Sequence, residues 1–177
     1  MDIEQLKYPI GKFRRPESIN VELLDQYITI ISSFPDKLKQ EVKNLSDEQL
    51  DTEYRPEGWT IRQLVNHCAD SHANSIIRYK LALTEENPIV KPYLEAEWAK
   101  LADSVKIPIE PAIKMLEGIH ERWTVLLNNM TETDFLKTFV NPQNGKLFSL
   151  AVATALYAWH CEHHLAHITE LKKNKGW

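Results

Sequence analysis

Trp159-His160-Cys161-Glu162-His163-His164-Leu165-Ala166-His167 holds four of the chain's seven histidines within eight positions. The surrounding sequence predicts a long helix that begins after Ser149 and continues to about Lys173. Side chains four positions apart on a helix lie on one face, one turn apart. Two imidazoles at this spacing can therefore bind one metal ion, and zinc or nickel is a suitable ion for such ligands.

Helix geometry separates these histidines into two pairs. At about 100° per residue, one face of the last helix carries His160 and His164 and is apolar at both ends, which predicts that it faces the core. The residues on this face are Leu150, Ala153, Tyr157, His160, His164, His167 and Leu171. The neighbouring line through His163 ends in charge and is expected to be rotated away from the core. His163 and His167 straddle the two faces, so we predict His160 and His164 as the ligand pair.

A third ligand is expected from another helix, because a site with only two protein ligands is weak. On the second long helix, His67 lies on a face that is apolar at Leu64 and polar beyond it, so His67 is the preferred candidate. Asp70, three residues further on, is placed to orient an imidazole by a hydrogen bond. His72 lies about 140° from His67 around the helix and is expected to lie outside the site. A hydrogen-bonded polar layer within the bundle is the competing interpretation of these residues.

The helical pattern predicts an all-α protein, a four-helix bundle with crossover connections and short extra helices. We expect a single domain over residues 1–177, with residues 1–17 forming an extended N-terminal arm. The long helices are expected at about 18–45, 60–86, 111–128 and 149–173.

Local signals refine these helices. Pro35 is expected to kink or restart the first helix. Thr60 and Gln63 form a capping box at the start of the second. The segment 138–148 contains Asn141-Pro142 and Asn144-Gly145, so a loop or a small hairpin is expected there.

Composition excludes several classes of protein. A length of 177 residues suits one domain with a real core, and a net charge of −4 gives no support to nucleic-acid binding. The sequence contains no apolar run of the roughly 20 residues that cross a membrane and begins without a signal-peptide pattern. Two cysteines, Cys68 and Cys161, are too few for a disulfide scaffold and predict a cytoplasmic protein. Both are expected to be buried packing residues.

Other metal-site motifs do not fit the chain. The zincin motif requires Glu directly after the first His, and Cys161 holds that position. A di-iron bundle requires two Glu-x-x-His units, and only Glu117-Gly118-Ile119-His120 offers one on a separate helix. A lone histidine such as His120 is ordinarily a surface or hydrogen-bonded residue.

A longer pattern resembles the YfiT-like branch of the DinB superfamily and extends over nearly the whole chain. Its two central motifs are Gly58-Trp59-Thr60-Ile61-Arg62-Gln63-Leu64-Val65-x-His67-x-x-Asp70-Ser71-His72 and Tyr157-x-Trp159-His160-x-x-x-His164-x-x-His167-Ile168. Further similar blocks are Tyr8-Pro9-Ile10-Gly11, Leu50-Asp51-Thr52-x-Tyr54-Arg55 and Arg78-x-Lys80-Leu81-Ala82-Leu83-Thr84-Glu85-Glu86-Asn87-Pro88.

The resemblance implies a DinB-like four-helix bundle that binds one divalent metal ion, zinc or nickel, in each subunit of a homodimer. Carried over by motif, the ligands are His67, His160 and His164, the same three that helix geometry favours. The implied activity is that of a metal-dependent hydrolase on a small-molecule substrate. Similar proteins include transferases that use a low-molecular-weight thiol, bacillithiol or mycothiol, so a thiol S-transferase is the alternative. A non-catalytic metal-binding bundle is a third interpretation.

Three neutral ligands would leave the metal ion an open coordination position, the arrangement of catalytic rather than structural sites. The ion could then activate water, or bind and deprotonate a thiol. Trp59 or Trp159 is a candidate for the pocket wall, with core packing as the competing role for each. Ligating imidazoles must be neutral, so retention of metal well below the ordinary imidazole pKa of about 6.5 would count against a shell made of histidines alone.

Overall fold

The structure, a computed structural model, describes residues 3–141 and 145–177. The helices in these ranges are α1 (Ile3–Lys7), α2 (Val21–Val42), α3 (Asp47–Leu50), α4 (Ile61–Thr84), α5 (Glu95–Trp98), α6 (Ala102–Val105), α7 (Glu110–Asn128), α8 (Glu132–Leu136) and α9 (Leu150–Lys175). Two short strands, β1 (Thr138–Asn141) and β2 (Lys146–Ser149), lie between α8 and α9. The prediction of a helical bundle with short extra helices is confirmed.

The four long helices α2, α4, α7 and α9 form the bundle. α2 packs against α7 and α9, and α4 packs against the same two helices. The order around the bundle is therefore α2, α7, α4, α9, so that α2 and α4 occupy opposite corners. Because α2 and α4 follow each other along the chain, their connection crosses the bundle, as does the connection from α7 to α9. The predicted crossover connections are confirmed.

The ends of α4 and α9 are fixed by local hydrogen bonds. The Thr60 hydroxyl accepts from the Gln63 N–H at 3.2 Å, and the Gln63 side-chain oxygen accepts from the Thr60 N–H at 2.9 Å. This is the predicted capping box, which satisfies donors that a helix start leaves free. The Ser149 hydroxyl accepts from the Val152 N–H and so caps α9 without the reciprocal bond, and α9 is followed by Gly176, whose φ of 71° is a left-handed conformation suited to glycine.

Arg62 ties the beginning of α4 to the connection that precedes it. Its guanidinium group donates to Asp51 at 2.6 Å, to Asp47 at 2.8 Å and to the carbonyl of Ile107 at 3.0 Å. The Arg62 side chain is only 7 % exposed, whereas both aspartates are largely exposed. A buried guanidinium group needs such partners, and these bonds hold α3 and the loop before α7 against α4. The first turns of α4, which lead to His67, are therefore held firmly in place.

The N-terminal segment differs from the predicted extended arm, because residues Ile3–Lys7 form helix α1. The remainder of the segment covers one side of α9. The Trp159 indole N–H donates to the Gly11 carbonyl at 3.1 Å, and the ring of Tyr8 lies 6.1 Å from that of His163. His163 is consequently buried, although helix geometry predicted that its face of α9 would point away from the core. Residues 1 and 2 of the arm lie outside the described residues.

Helix α2 continues through Pro35, so the predicted restart of the helix is wrong. Proline has no N–H, and the carbonyl of Ile31, four residues earlier, therefore lacks its usual helical donor. The structure supplies a substitute, because the Nδ1–H of His120 on α7 donates to the Ile31 carbonyl at 2.6 Å. Ile31 is fully buried and His120 is 1 % exposed. A side chain of a neighbouring helix thus satisfies a carbonyl that would otherwise be buried without a partner.

The expected hairpin is present as the antiparallel strands β1 and β2, in which Thr138 pairs with Ser149 and Asn141 with Lys146. The predicted turn residues Pro142 and Asn144 lie outside the described residues. β1 also makes a parallel bridge with Ile89, where the connection after α4 passes. The hairpin therefore leads directly into the N-terminal cap of α9.

Within residues 3–141 and 145–177, no helix combines the length and the apolar character that crossing a bilayer requires.

The role of Pro35 predicts an energetic coupling with His120. His120→Phe leaves the Ile31 carbonyl without a donor and should cost about 1–3 kcal/mol of unfolding free energy for that group alone. Pro35→Ala restores a helical N–H for the same carbonyl. The unfolding free energy lost in the double variant should therefore be about 1–2 kcal/mol smaller than the sum of the losses in the two single variants. Urea unfolding measures all three losses.

Trp123→Phe provides the control for this cycle. The Trp123 ring packs 5.7 Å from that of His120, and its indole N–H has no hydrogen-bond partner among the described residues. Its coupling to Pro35→Ala should be close to zero. Equal coupling for Trp123 and His120 would show that packing, and not the hydrogen bond to Ile31, links Pro35 to α7.

Candidate metal centre

Three imidazoles from two helices converge between α4 and α9. His67 is on α4, and His160 and His164 are on α9. One ring nitrogen from each lies within 4.8 Å of the others. The Nε2 atoms of His160 and His164 are 3.2 Å apart, and the ring centroid of His67 lies 4.9 Å from that of His164. The structure thus brings together the three residues that were predicted as ligands.

The environment of these imidazoles keeps them neutral. Burial, reinforced by His163, lowers the pKa of His67 to about 4. Burial also holds the pKa of His160 and His164 well below the ordinary value, and the neighbouring imidazoles act in the same direction. A neutral imidazole has an unprotonated nitrogen that can bind a metal ion without first losing a proton. At pH 7 the cluster is therefore in its metal-binding form.

The residues present fit a divalent ion better than a hydrogen-bonded polar layer. His67 is buried and makes no side-chain hydrogen bond within the described part of the chain. Buried polar atoms in native proteins are nearly always paired. A metal ion bound among the three convergent imidazoles would give His67 the partner that the protein itself does not supply.

A cavity of about 460 Å³ lies beside the three imidazoles. The rings of Trp59 and Trp159 line it, with Trp59 4.7 Å from His67 and Trp159 stacked on His163 at 4.5 Å. Both tryptophans are therefore wall residues, in agreement with the pocket hypothesis and not with simple core packing. The cavity is large enough for a small organic molecule next to the metal ligands.

Arg55 places a positive charge on the wall of this cavity. It belongs to the loop before α4, where the Gly58 N–H donates to the Arg55 carbonyl at 2.9 Å. A Cβ atom at Gly58 would lie 2.8 Å from Cγ of Arg55, so this close turn requires glycine. The Nε atom of Arg55 is buried and has no hydrogen-bond partner among the described residues. Nη1 of the same guanidinium group donates to the Pro56 carbonyl at 3.0 Å, so an anionic group of a bound molecule could pair with the remaining donors.

His163 and His167 form a second pair on α9. Their Nε2 atoms are 3.2 Å apart, and both rings line the cavity. The ring of His167 packs 4.1 Å from that of Tyr54. The described residues place neither histidine in the group that could hold a metal ion. The second pair is therefore adjacent to the three-histidine cluster but separate from it.

Of two histidines that were not expected at the site, His72 contacts the cluster directly and His120 reaches it through His72. His72 Nε2 lies 3.0 Å from His160 Nδ1, and His72 Nδ1 lies 2.7 Å from His120 Nε2. No hydrogen bond joins Asp70 to an imidazole within the described part of the chain, and burial together with Asp103 raises the pKa of Asp70 to about 6. The hydrogen-bond partner of Nδ1 of the candidate ligand His160 is His72, and not Asp70, which was proposed from the sequence to orient an imidazole.

Neither cysteine is poised as a nucleophile. Cys68 and Cys161 are both free and buried. Burial raises the pKa of both thiols far above the ordinary value, so each remains protonated at neutral pH. A protonated, enclosed thiol is a poor nucleophile. The interpretation of both residues as packing residues is in agreement with their surroundings.

The fold and the three-histidine cluster match a known family over most of the chain, since the DinB superfamily pattern covers residues 31–168. The chain belongs to the DinB superfamily. It is 49 % identical over 175 residues to a protein of Bacillus cereus (strain ATCC 10987 / NRS 248) named "Putative metal-dependent hydrolase". That alignment covers 99 % of this DinB chain and all of its relative. A Bacillus anthracis protein of the same name is similar to the same extent.

Two solved structures share the fold of this chain, at different levels of sequence identity. The chain is similar to YfiT from Bacillus subtilis, described as a probable metal-dependent hydrolase with an unusual four-helix bundle topology, with a TM-score of 0.95 and 46 % identity. That match covers 98 % of this chain and 99 % of YfiT. A mycothiol-dependent maleylpyruvate isomerase shares the fold at a TM-score of 0.60 and 18 % identity, with 79 % of this chain and 60 % of the isomerase covered.

The cluster predicts which imidazoles retain metal. His164→Ala should abolish stoichiometric binding, because it removes one of three convergent ligands. The matched change His163→Ala, one residue away on the same helix, should leave metal content nearly unchanged, since His163 is paired with His167. Elemental analysis of protein purified without added metal provides the measurement. Equal loss in both variants would place the second pair within the metal site.

The lowered pKa values also predict acid sensitivity of the metal-free protein. His67 and His120 each have a folded-state pKa of about 4 because of burial, whereas an unfolded imidazole titrates near about 6.5. Protons therefore bind the unfolded chain preferentially, and stability that is fully present above about pH 6.5 is lost as the pH falls towards 4. These two residues should lower the unfolding free energy by about 2 kcal/mol between pH 6 and 5.

Urea unfolding in the presence of a chelator measures this loss, and a flat profile between pH 7 and 5 would contradict it. The same pKa values correct the expectation that metal retention below pH 6.5 argues against histidine ligands. Because the candidate ligand His67 resists protonation until about pH 4, a shell made only of these histidines should retain metal well below pH 6.5.

Proposed function

We propose that this DinB protein is a metal-dependent hydrolase that acts on a small-molecule substrate. His67, His160 and His164 would hold one zinc or nickel ion in each subunit. The observation that carries the proposal is the convergence of three neutral imidazoles on the wall of a cavity of about 460 Å³. Catalytic metal sites typically have three protein ligands and one open position, whereas structural sites have four. The names of the relatives support the same activity.

A bound divalent ion would supply Lewis acidity, which lowers the pKa of coordinated water to about 7 and makes a nucleophile available at neutral pH. The residues of the chain would bind and orient the substrate beside that nucleophile. Trp59 and Trp159 restrict the space available to solvent, and Arg55 offers a guanidinium donor to an anionic group. Since all three ligands are neutral, they would leave the ion its full double charge.

The second candidate is a thiol S-transferase that uses an anionic low-molecular-weight thiol such as bacillithiol. The observation that favours it is the unpaired Nε atom of Arg55 on a cavity wall next to the histidine cluster. Lys7, Glu57 and Glu95 line the same cavity, and Lys7 is paired with Glu4. Arg55 could therefore bind an acidic group of a thiol while the sulfur of that thiol lies near the three histidines. Cys68 and Cys161 are enclosed and protonated, so an external thiol would have to provide the sulfur nucleophile. For either activity, we propose that the protein is a homodimer in the cytoplasm.

A paired assay distinguishes the two activities. Zinc-loaded protein is incubated with activated esters and amides in water, and separately with an aryl halide electrophile with and without a thiol. Hydrolysis is expected with water alone and should be lost in His164→Ala. His163→Ala serves as the control for metal loss: its ring lines the same cavity but lies outside the three-histidine group, so the variant should keep the ion and some hydrolysis.

Conjugation that requires the thiol, without hydrolysis, would replace the first proposal with the second. If removal of the metal abolished neither hydrolysis nor conjugation, both proposed functions would be contradicted, because each depends on the ion. Bound metal without any conversion across the panel would favour a non-catalytic metal-binding bundle.

Arg55→Met tests the role of Arg55 in substrate binding separately: it should raise KM for anionic substrates and leave KM for neutral ones nearly unchanged.

A further inference from the structure

A continuous series of hydrogen bonds connects the backbone of α2 to the candidate ligand His160. The Ile31 carbonyl lies 2.6 Å from His120 Nδ1, and His120 Nε2 lies 2.7 Å from His72 Nδ1. His72 Nε2 lies 3.0 Å from His160 Nδ1. The series visits α2, α7, α4 and α9, which is the order of these helices around the bundle. His72 and His120 do not belong to the three-histidine cluster.

The carbonyl at one end fixes the direction of every bond in the series. A carbonyl oxygen can only accept, so His120 must carry its proton on Nδ1, and its Nε2 is then an acceptor. His72 must therefore donate from Nδ1 and accept at Nε2. His160 must in turn donate from Nδ1, which leaves His160 Nε2 without a proton. This bare nitrogen lies 3.2 Å from His164 Nε2, inside the cluster.

We propose that His72 and His120 are positioning residues that fix the tautomer of His160 and reserve its Nε2 for the metal ion. This inference rests on the metal-binding role proposed above. A ligating imidazole usually donates its other N–H to a partner that fixes its tautomer and orientation. Here that partner is a second histidine, which is itself fixed by a third and finally by a peptide carbonyl. Pro35 makes the carbonyl of Ile31 available, because it removes the helical donor.

The opposite set of tautomers is disfavoured at the far end of the series. If His160 carried its proton on Nε2, His72 and His120 would both have to reverse their tautomers to keep the two bonds between imidazoles. The unprotonated Nδ1 of His120 would then face the Ile31 oxygen at 2.6 Å, with two acceptors in contact. Both groups would be buried without a hydrogen bond, at 1 % exposure for His120 and 0 % for Ile31. The penalty therefore acts on the tautomer of His160 from a distance.

The series acts as a fixed restraint and not as a path for proton release. A path would end at a group that exchanges protons with solvent, whereas this series ends at a peptide carbonyl that only accepts a hydrogen bond. His72 is fully buried. The rings are also held by packing, since Phe34 lies 5.3 Å from His72 and 5.6 Å from His120.

Long-range ¹H–¹⁵N correlation spectra of the metal-free protein at pH 7.5 test the tautomers directly. His120, His72 and His160 should each carry the proton on Nδ1, with Nε2 unprotonated. An Nε2–H signal for His72 or His160 would overturn the proposal. This measurement requires no metal, so correct tautomers in a protein that binds no zinc would refute the proposed function and leave the tautomer assignment intact.

Zinc affinity, measured by competition with a chromophoric chelator, tests the consequence for binding. His72→Phe should weaken binding by about 10–100-fold, the usual effect of losing the partner of a ligating histidine. His72→Gln should recover most of this loss, because its side-chain oxygen can accept from His160 Nδ1–H. Phe34→Leu is the control: it changes packing against both histidines but breaks no hydrogen bond, and it should bind zinc like the wild type. Equal affinities for His72→Phe and wild type would overturn the positioning role.

His120→Phe tests whether His120 influences the tautomer of His160, because His120 reaches the cluster only through His72. It should allow His72 and His160 to populate the opposite tautomer and should weaken zinc binding. Adding Pro35→Ala should recover stability without recovering affinity, since it supplies a donor for Ile31 but no acceptor for His72. If affinity returned together with stability, the effect of His120 would be structural and the tautomer proposal would be overturned.

Discussion

The burial of imidazole rings is the constraint on which this structure depends. All seven histidines of the chain lie in or at the edge of the bundle, and their ring nitrogens are polar atoms that need partners. His72 and His120 find partners in each other and in the Ile31 carbonyl, while His163 is paired with His167. His67 has no such partner within the described part of the chain, and the Nδ1 atoms of His163 and His164 are buried without one. Hydrogen bonding thus accounts for one part of the histidine-rich interior, and a metal ion bound by His67, His160 and His164 would account for a further part.

Much of the fold follows from local signals in the sequence, because helix ends depend on nearby residues. The capping box at Thr60 and the glycine at position 176 are examples in which a few neighbouring residues determine where a helix begins or ends. The passage of α2 through Pro35 did not follow from such signals. Whether a proline interrupts a helix depends on whether another element can satisfy the freed carbonyl, and here that element is α7, about 85 residues away in the sequence.

The candidate site shows the same division between local and long-range information. Helix periodicity selected His160 and His164 correctly as an inward pair, because both lie on one helix. It could not select His72, since an angle measured around α4 describes where a residue points but not which residue of α9 meets it. It also assigned His163 to an exposed face, because the covering of α9 by the segment that contains Gly11 is a tertiary contact. Asp70 had suitable spacing from His67, but spacing does not establish a hydrogen bond.

The order of helices around the bundle gives the crossover topology a chemical consequence. Because α2 and α4 occupy opposite corners, α7 and α9 each contact both of them. The hydrogen-bond series can therefore pass from Ile31 through His120 and His72 to His160, with one residue from each long helix. Every step requires two helices to be packed together, so the complete series exists only in the fully assembled bundle. Binding that favours the native state stabilises it by an amount that grows with the logarithm of the ratio of ligand concentration to Kd. A metal ion held by His160 would therefore stabilise the packing of all four helices, including α2 and α7, which contribute no ligand to the three-histidine cluster.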